Sequence, residues 1–474
     1  MSLYKNSSIY IISTFLLKGV TFLLLPVYSY LIEPAEFGII FIVQLTASFM
    51  TAFLSLSLWS SISRFYFDTE SESEISSMYS TMVYFLTIYV VAVYTLVFFN
   101  IDNLAQLLEV PIIYVRLGVI ISLLDIFLPH LIALLRAREK AKKVAIIRTS
   151  LGILGLIIQV IFVITFEDKA AGFLSAKLIT AGLCFLSFWV FSVKYLTFKV
   201  GLDKLWEYLK YSLHSLPGDI ATWLVNFADR FMVKKYCGTA ATGIYSVGYK
   251  LGQGQNLLQN SVNEAYVPYV FARYSNLKKH NRDLDKKALE LFGLFTLIAA
   301  VSIVFIKDVS MLFEKNYRAL ATFFPLVAMA YLINGYKLIF HNPLAYNKKY
   351  MKYKSLIWIF AAGLNIGLNL ILIRSYGYIG AAIATLAAYL VTFGVILLLI
   401  NKAVPVKYAT KKFIKIFLVS ILYGSLYLLD FSLLNIFIKV VLSIFYIYII
   451  LRLAGLVTLL NNLLKRWLNG IFIN

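Results

Sequence analysis

The sequence predicts an all-α polytopic membrane protein of about fourteen transmembrane helices, arranged as two pseudo-symmetric six-helix lobes followed by two further helices. Three observations lead to this fold class. Mostly apolar stretches of about 20 residues, the length that spans a bilayer, succeed one another from Ile9 to Leu451. Hydrophobic residues make up 61% of the chain and charged residues only 14%, unlike a soluble enzyme. Polar positions also recur with an offset of 205 residues, as in a chain built from two copies.

The apolar stretches place the predicted transmembrane helices along the chain. The first stretch is too long for a signal peptide, contains Lys18 and precedes no small-x-small cleavage site, so we expect it to remain in the mature protein. Abundant Phe, Tyr and Trp are typical of aromatic belts at two membrane interfaces. The predicted spans are 9–31, 37–59, 78–99, 115–135, 144–166, 170–193, 211–233, 241–262, 287–306, 320–341, 355–373, 378–401, 412–429 and 433–451.

The net charge of +21 would suggest nucleic acid in a soluble protein, but here the basic residues collect on one side of the predicted topology. By the positive-inside rule this side is the cytoplasm. Both termini are expected there, no nucleic-acid partner is expected, and the tail from Arg452 onward is typical of an interfacial amphipathic helix. The basic clusters are Arg136/Arg138/Lys140/Lys142/Lys143, Lys194/Lys199/Lys204/Lys210, Arg273/Lys278/Lys279/Arg282/Lys286/Lys287, Lys348/Lys349/Lys352/Lys354 and Lys402/Lys407/Lys411/Lys412.

The segments between the predicted spans are too short to hold a soluble catalytic domain. The longest runs from Asn263 to Lys286. Cys184 falls in the sixth span and Cys237 in a short outer loop, which predicts neither a disulfide framework nor a metal site. We therefore expect no enzyme activity, no cofactor and no metal, and a function carried out in or across the bilayer.

The internal repeat predicts the domain organisation. Six spans per copy is an even number, so both copies would have the same orientation in the membrane. We predict an N-terminal lobe at 1–200, a C-terminal lobe at 201–405, and two additional helices with the tail at 406–474. The matched positions are Thr14/Asp219, Thr21/Asn226, Gly38/Gly243, Ser48/Gln253, Thr51/Asn256 and Ser55/Asn260 at an offset of 205, and Gly155/Gly363 and Gly172/Gly380 at 208.

Polar faces on the first, second, seventh and eighth spans predict a central hydrated cleft. Residues spaced by three and four lie on one helix face. A charged side chain at the centre of a membrane helix costs about 2.5 to 3.5 kcal/mol, so we expect these faces to meet water rather than lipid. Their members are Thr14, Lys18 and Thr21; Gln44, Ser48, Thr51 and Ser55, before Arg64; Ser215, Asp219, Thr222, Asn226 and Asp229, beside Arg230; and Ser246, Lys250, Gln253, Asn256, Asn260, Asn263 and Glu264.

The charges near the middle of this cleft favour an anionic ligand. Lys18 and Lys250 lie near mid-span beside polar neighbours on their own faces. Cations so placed favour a phosphate or pyrophosphate group.

For several charged and polar residues the sequence leaves two roles open. Lys177 either lines the cleft or snorkels to the outer interface. Asp125 and His130, on either side of Pro129, form either a proton relay or an interhelical hydrogen bond. Asn365 and Asn369 either contact substrate or hold helices together beside small residues.

Asp229 and Arg230 are a special case because they are neighbours in sequence. Adjacent residues do not face each other along a helix, so we expect no direct contact between the two side chains. Arg230 either binds substrate or anchors at the outer interface.

Five motifs follow one another along the chain: Leu31-Ile-Glu-Pro-Ala-Glu-Phe-Gly38, Ile62-Ser-Arg-Phe-Tyr-Phe-Asp68, Phe227-Ala-Asp-Arg-Phe-Met-Val233, Gly243-Ile-Tyr-Ser and Tyr378-Ile-Gly-Ala-Ala-Ile-Ala-Thr385. In this order they resemble the polysaccharide-transporter branch of the multidrug/oligosaccharidyl-lipid/polysaccharide exporter superfamily, the Wzx-type O-antigen flippases. The resemblance covers nearly the whole chain. It implies a V-shaped pair of six-helix lobes that moves undecaprenyl-pyrophosphate-linked oligosaccharide, an O-antigen or capsule repeat unit, from the cytoplasmic to the periplasmic leaflet of a bacterial inner membrane.

The resemblance also implies cationic residues in the cavity, matched here by Lys18, Arg64, Arg230 and Lys250. Besides the glycan lipid, membrane lipid, H⁺ or Na⁺, and the polymerase and chain-length proteins of the glycan pathway are the expected partners. The candidates for coupling to an ion or proton are Asp125, Asp219 and Asp229. The substrate-binding candidates are Lys18, Arg64, Asp219, Asn226, Asp229, Arg230, Lys250, Gln253 and Asn256.

Three alternatives stay open at this stage. A multidrug or cation antiporter of the same superfamily usually has twelve helices and an acidic group in the first, where this chain has Lys18. A major-facilitator transporter has a basic loop after its second span, whereas residues 64–74 carry Asp68 and three glutamates here. A membrane-embedded glycan polymerase needs a large outer loop, which the predicted topology lacks.

Overall fold

The computed structural model describes residues 2–274, 277–346, 348–403, 408, 410–427 and 436–456. These ranges are almost entirely helical, with short 3₁₀ turns at Tyr66–Asp68, Val193–Tyr195, Lys315–Tyr317 and Ser425–Tyr427. The α-helices are α1 (Ser2–Leu31), α2 (Pro34–Leu54), α3 (Leu58–Phe65), α4 (Glu72–Phe99), α5 (Ile101–Leu108), α6 (Ile112–Asp125), α7 (Leu128–Ala137), α8 (Ala141–Thr165), α9 (Lys169–Ser192), α10 (Leu202–Tyr274), α11 (Leu277–Ser310), α12 (Leu320–Tyr346), α13 (Lys348–Ala403), α14 (Thr410–Gly424) and α15 (Ile436–Leu453).

Local sequence fixes where several helices begin. Pro34 opens α2, where its missing N–H costs nothing, and the Glu36 carboxylate accepts from the Glu33 amide at 3.3 Å. The Ser71 hydroxyl caps α4, and the Asp168 carboxylate caps α9 by accepting from the Ala171 amide at 2.8 Å.

The protein is a multi-pass membrane protein, as predicted. In the ranges described, nine helical stretches are long and apolar enough to cross a bilayer. The number fourteen remains a prediction. The seventh and eighth predicted spans both fall in α10, which is not among the nine because polar and charged residues interrupt its apolar faces.

Two glycines turn the chain inside what would otherwise be very long helices. Gly238, with φ of 86°, divides α10 between the seventh and eighth predicted spans. Gly377, with φ of 59°, divides α13 between the eleventh and twelfth. These left-handed conformations favour glycine, which has no Cβ.

One span that we expected to be continuous is broken, and this expectation was wrong. The second span breaks between α2 and α3, where Leu56 and Ser57 have φ of 49° and 53°. The fourth remains one apolar stretch, Ile112–Ala137, with a short interruption between α6 and α7, where Pro129 has no N–H to donate to the carbonyl of Asp125, one turn earlier. A hydropathy profile does not detect either feature, since the flanking residues are mostly apolar.

The helices form two compact units, Met1–Ser246 and Val247–Asn474. The core of the first unit is built around α4 and α7, where Tyr79 and Leu131 have no exposed surface. Buried tyrosines there find partners for their hydroxyls, as buried phenols generally do. Tyr79 bonds to the Ser192 hydroxyl at 2.8 Å, and Tyr94 donates to the Ser122 hydroxyl at 2.8 Å.

Packing inside each unit follows the predicted repeat. In the first unit, a Cβ built on Gly118 of α6 would stand 2.6 Å from Val43 of α2. In the second, a Cβ on Gly248 of α10 would stand 2.5 Å from Phe323 of α12. Adding 205 to residues 43 and 118 gives 248 and 323, so one helix contact occurs twice with the glycine on opposite partners. The domain limits at 200 and 405 remain predictions.

The helices that follow the repeat, α14 and α15, pack on α11 in the second unit. Lys439 of α15 is 7% exposed and donates to both carboxylate oxygens of Asp308, at 3.0 and 2.8 Å. Tyr423 and Tyr446 stack with their ring centroids 4.0 Å apart, joining α14 to α15. The predicted amphipathic tail lies beyond residue 456, outside the described residues.

Candidate functional site

Asp219 of α10 contacts the break in the second predicted span, between α2 and α3. Its carboxylate accepts a hydrogen bond of 2.7 Å from the hydroxyl of Ser57, the buried residue with left-handed backbone between α2 and α3. A few residues on, the Ser61 hydroxyl donates to the Tyr208 carbonyl at 2.7 Å. Asp219 is itself only half-buried, so it can stabilise the break and still contact a ligand.

A cavity of about 420 Å³ lies within the first unit, beside this break. The polar residues of the second span line it, namely Gln44, Ser48, Thr51 and Ser55. These side chains therefore face a cavity. Its remaining polar lining is Asp125, at the end of α6, and Lys177 of α9.

Asp125 and Lys177 thus share one polar cavity although they lie on different helices. No ion pair within 4.0 Å joins these two residues. The interruption before Pro129 puts Asp125 at the end of α6. A carboxylate, an ammonium and several hydroxyls around one space can hold water or a small ion.

His130 does not form the expected interhelical hydrogen bond. It is fully buried, and its Nδ1 lies 3.0 Å from the carbonyl of Ile126, one turn earlier in its own segment. Asn365 and Asn369 are also fully buried; Asn365 donates to the Thr385 hydroxyl at 3.3 Å, and Asn369 to the Asn365 carbonyl at 2.9 Å. These contacts favour the packing role of the two asparagines.

An aromatic wall lies between α2 and the first half of α10. The Trp223 indole donates to the Ser48 hydroxyl at 3.0 Å, and its ring stands 4.9 Å from Phe49 and 5.6 Å from Phe227. Trp and Phe side chains form this wall. A flat apolar face with a polar edge suits contact with sugar rings.

Asp229 and Arg230 form an ion pair of 2.6 Å, so the expectation that these neighbours make no contact was wrong. The guanidinium stands at the end of a flexible side chain and folds back, whereas helix geometry constrains only the Cβ atoms. The two residues are 1% and 3% exposed, and the Tyr245 hydroxyl donates to the other Asp229 oxygen at 2.6 Å. This network ties the α10 segments before and after Gly238 to each other.

Asn226 joins this network on the same face of α10. Its carbonyl accepts from the Arg230 guanidinium, and its side chain donates to the Thr222 carbonyl at 2.6 Å. Asn226 is half-buried, which leaves part of its amide open to a ligand.

Lys18 and Arg64 are both exposed, but only Arg64 has a carboxylate partner among the described residues. Lys18 of α1 makes no ion pair with the described residues. Arg64 of α3 pairs with Asp68 at 2.6 Å, and the hydrogen bond and charge of Asp68 raise the pKa of Arg64. Water screens such a pair strongly, so Lys18 carries the less compensated charge.

Lys250, Gln253 and Asn256 lie on the second half of α10, within the second unit, and all three are half-buried. The Asn256 side-chain oxygen accepts from Asn260 at 3.0 Å and from Asn334 of α12 at 3.4 Å. Amide groups therefore continue the polar face of α10 onto α12.

Lys337 of α12 is a buried cation that we did not include among the candidates. It is 5% exposed, and its ammonium stands 3.9 Å from the centroid of the Trp358 ring and 4.8 Å from that of Tyr389. Two aromatic faces attract a desolvated cation by about 2 kcal/mol or more. The signal was available in the sequence, because a lone lysine inside an apolar span is costly.

Comparison with known proteins identifies the family. A family model described as "polysaccharide biosynthesis protein" matches residues 27–318, which is more than half of the chain. The chain belongs to this family. An uncharacterized membrane protein of Methanocaldococcus jannaschii is 22% identical over 410 residues, which cover 83% of this chain and 96% of that protein.

The family member has the fold of known transporters. A structure of the lipid II flippase MurJ in an inward closed conformation covers 93% of this chain and 97% of its own, with a TM-score of 0.75 and 17% identity. A multidrug resistance MATE family transporter of the MOP superfamily, in an inward-facing conformation, covers 85% and 96%, with a TM-score of 0.65 and 14% identity. At these identities the likeness establishes the fold alone.

Proposed function

We propose that this family member is a flippase that moves undecaprenyl-pyrophosphate-linked oligosaccharide, an O-antigen or capsule repeat unit, from the cytoplasmic to the periplasmic leaflet of a bacterial inner membrane. The observation that carries the proposal is a MurJ-like fold over nearly the whole of a chain from a polysaccharide biosynthesis family. Fourteen spans in two lobes, with both termini cytoplasmic, belong to the same proposal. The protein makes and breaks no bond in this role and acts as a transporter.

The transport problem is to carry a charged, hydrophilic head through hydrocarbon while the polyprenyl tail stays in lipid. In our proposal Lys18 and Lys250 neutralise the pyrophosphate, and Arg64 attracts it at the inner end. Asp219, Asn226, Gln253 and Asn256 hydrogen-bond the sugars, and Trp223 offers them a stacking face. Such contacts replace the water that the head loses.

Asp229 and Arg230 take a different part in this proposal. Their mutual ion pair and burial support a positioning role, in which the network with Tyr245 holds the turn at Gly238. Direct contact with the substrate would require this pair to separate. Separation is costly because each charge would then be buried without its partner.

The membrane potential can drive export without ion coupling. An inside-negative potential favours outward movement of an uncompensated negative charge by about 2.3 kcal/mol per charge per 100 mV. We propose Asp125 and Asp219 as the groups that take up H⁺ or Na⁺ if resetting the empty carrier is coupled to an ion. The cavity shared by Asp125 and Lys177 supports the choice of Asp125.

Deleting the gene tests the proposal against its alternatives. A flippase deletion removes the surface glycan and traps complete lipid-linked repeat units in the cytoplasmic leaflet. A polymerase deletion would instead leave single repeats on the surface. A multidrug antiporter deletion would leave the glycan intact and sensitise the cell to cationic compounds, and either of these results rejects the flippase.

A further inference from the structure

Several basic side chains surround one buried tyrosine in the first unit. Tyr195 is 6% exposed. The guanidinium of Arg138 lies 4.6 Å from the centroid of its ring, and the ammonium groups of Lys194 and Lys140 lie 5.0 and 5.7 Å away. Lys140 also donates to the phenol oxygen at 3.3 Å.

A fourth cation lies beside these three. The ammonium of Lys143, in the first turn of α8, stands 4.5 Å from the ring centroid of Phe191 in the last turn of α9. Arg138, Lys140, Lys143 and Lys194 are called the Tyr195 cluster below. All four belong to the side that the charge distribution predicts to be cytoplasmic.

The fold holds this cluster in place from two sides. Arg138 and Lys140 flank Glu139, whose φ of 55° turns the chain sharply between α7 and α8. Lys194 and Tyr195 lie in the 3₁₀ turn that ends α9. Ser192, just before this turn, is buried and bonded to Tyr79 in the core at 2.8 Å.

The positive charge of the cluster is poorly balanced. Arg138 pairs with Glu72 at 2.6 Å, but the Glu72 side chain is 74% exposed, so water screens it. The Arg138 side chain is only 10% exposed, and its Nε has no hydrogen-bond partner among the described residues. Within the same residues, Lys140, Lys143 and Lys194 form no ion pair within 4.0 Å. Aromatic rings attract cations but carry no net charge, so an anion is the missing partner.

The surroundings indicate which anion fits. Apolar side chains next to the cluster are exposed, Val193 by 65% and Ile146 by 55%. Phe198, three residues past Tyr195, is 96% exposed. A ligand with a phosphate and acyl chains can satisfy both the cations and these apolar surfaces, and basic pockets between membrane helices on the cytoplasmic side are typical lipid-headgroup sites.

We propose that the Tyr195 cluster binds the phosphate headgroup of an anionic phospholipid, at a site separate from the transport cavity. Arg138 and Lys140 contact the phosphate from the α7–α8 turn, and Lys143 and Lys194 from the ends of α8 and α9. The acyl chains run along Val193 and Ile146. This proposal is independent of which molecule the protein transports.

Lipid binding to the purified full-length protein tests the site. Dioleoylphosphatidylglycerol is titrated in neutral detergent, with dioleoylphosphatidylcholine as the zwitterionic comparison of zero net charge, and bound lipid and melting temperature are recorded. A ligand that binds only the folded state raises the melting temperature. We expect phosphatidylglycerol, and not phosphatidylcholine, to do so in the wild type.

The decisive variant replaces all four cations, as Arg138→Gln, Lys140→Gln, Lys143→Gln and Lys194→Gln. It is expected to bind phosphatidylglycerol about tenfold more weakly or worse, since each cation near a lipid surface contributes appreciably. The matched control makes the same charge change on the same predicted side, as Lys142→Gln, Lys199→Gln, Lys204→Gln and Lys210→Gln. It should keep its affinity within about twofold.

Three results would overturn the proposal. Equal weakening in the control would mean general attraction to a basic face. Unchanged binding in the cluster variant would remove these residues from the site. Equal protection by inorganic phosphate would make it a site for free phosphate rather than lipid. If the fourfold variant does not fold, the double variant Lys143→Gln with Lys194→Gln replaces it. This variant keeps the ion pair of Arg138 with Glu72 and the hydrogen bond of Lys140 to Tyr195. It should still bind phosphatidylglycerol about threefold more weakly.

Discussion

Gly38 of α2 packs against the backbone of α10, and Gly243 of α10 packs against the backbone of α2. A Cβ on Gly38 would collide with the carbonyl of Thr239, and a Cβ on Gly243 with the carbonyl of Pro34. Gly243 follows Gly38 by 205 residues, and Thr239 follows Pro34 by the same number. The same offset of 205 residues therefore relates both partners of this contact.

The first prediction concerns this crossing. Gly38→Val or Gly243→Val should destabilise the protein by about 1 to 3 kcal/mol through overpacking and abolish surface glycan, because backbone lies where the side chain would be. Thermal unfolding and glycan staining of the deletion strain carrying each variant measure the two effects. Gly182→Val is the control, since a Cβ there meets nothing within 4 Å; similar losses in that variant would contradict the explanation.

The second prediction concerns the two cations of the proposed cavity. Lys18→Ala and Lys250→Ala should each abolish surface glycan at normal protein levels, because the pyrophosphate would lose a counter-charge. Lys199→Ala, a basic residue outside the cavity set, should transport normally. Wild-type glycan in both cavity variants would reject their role.

The third prediction concerns the break in the second span. Asp219→Asn should weaken the hydrogen bond from Ser57, at a cost of about 1.5 to 3 kcal/mol if the bond to the charged carboxylate is lost entirely. Ser57→Ala should cost a similar amount, and the double variant little more than either single one. Unfolding in detergent gives the double-mutant cycle; simple additivity would mean that the two side chains act independently.

The fourth prediction concerns the buried pair at the turn of α10. Arg230→Gln should destabilise the protein by about 3 to 5 kcal/mol, because Asp229 would stay buried without its cation. Arg230→Gln combined with Asp229→Asn should recover part of this loss. The same exchange at the exposed pair of Arg64 and Asp68 is the control, and it should have a much smaller effect because water screens that pair. Equal effects at the two pairs would rule out burial as the cause.

The fifth prediction concerns Lys337. Trp358→Ala should destabilise the protein, because the desolvated ammonium would lose its nearest aromatic face. Lys337→Met keeps the apolar stem without the charge and should preserve or raise the melting temperature, since a buried cation is costly. If Trp358→Ala is equally damaging in the Lys337→Met background, its effect comes from packing and not from the cation.

Sequence spacing was informative about the second span. Steps of three and four placed Gln44, Ser48 and Thr51 on one face, and these residues line a cavity. None of the substrate-binding candidates lines that cavity, so their role remains a prediction. The ion pair of Asp229 with Arg230 was missed because helix periodicity describes where side chains start and not where a long one ends. Lys337 was missed because its partners, Trp358 and Tyr389, lie on α13, distant in sequence.

The sequence by itself determined the solvent and the family fold of this protein, because the cost of placing polar groups in hydrocarbon adds up residue by residue along each span. The offset of 205 residues between the matched glycines was likewise visible in the sequence alone. Only the tertiary structure decided where the second span breaks, which charges neutralise each other, and that three cations surround Tyr195 with a fourth beside them. Those outcomes depend on side-chain conformation and on neighbours from other helices, which no local pattern encodes.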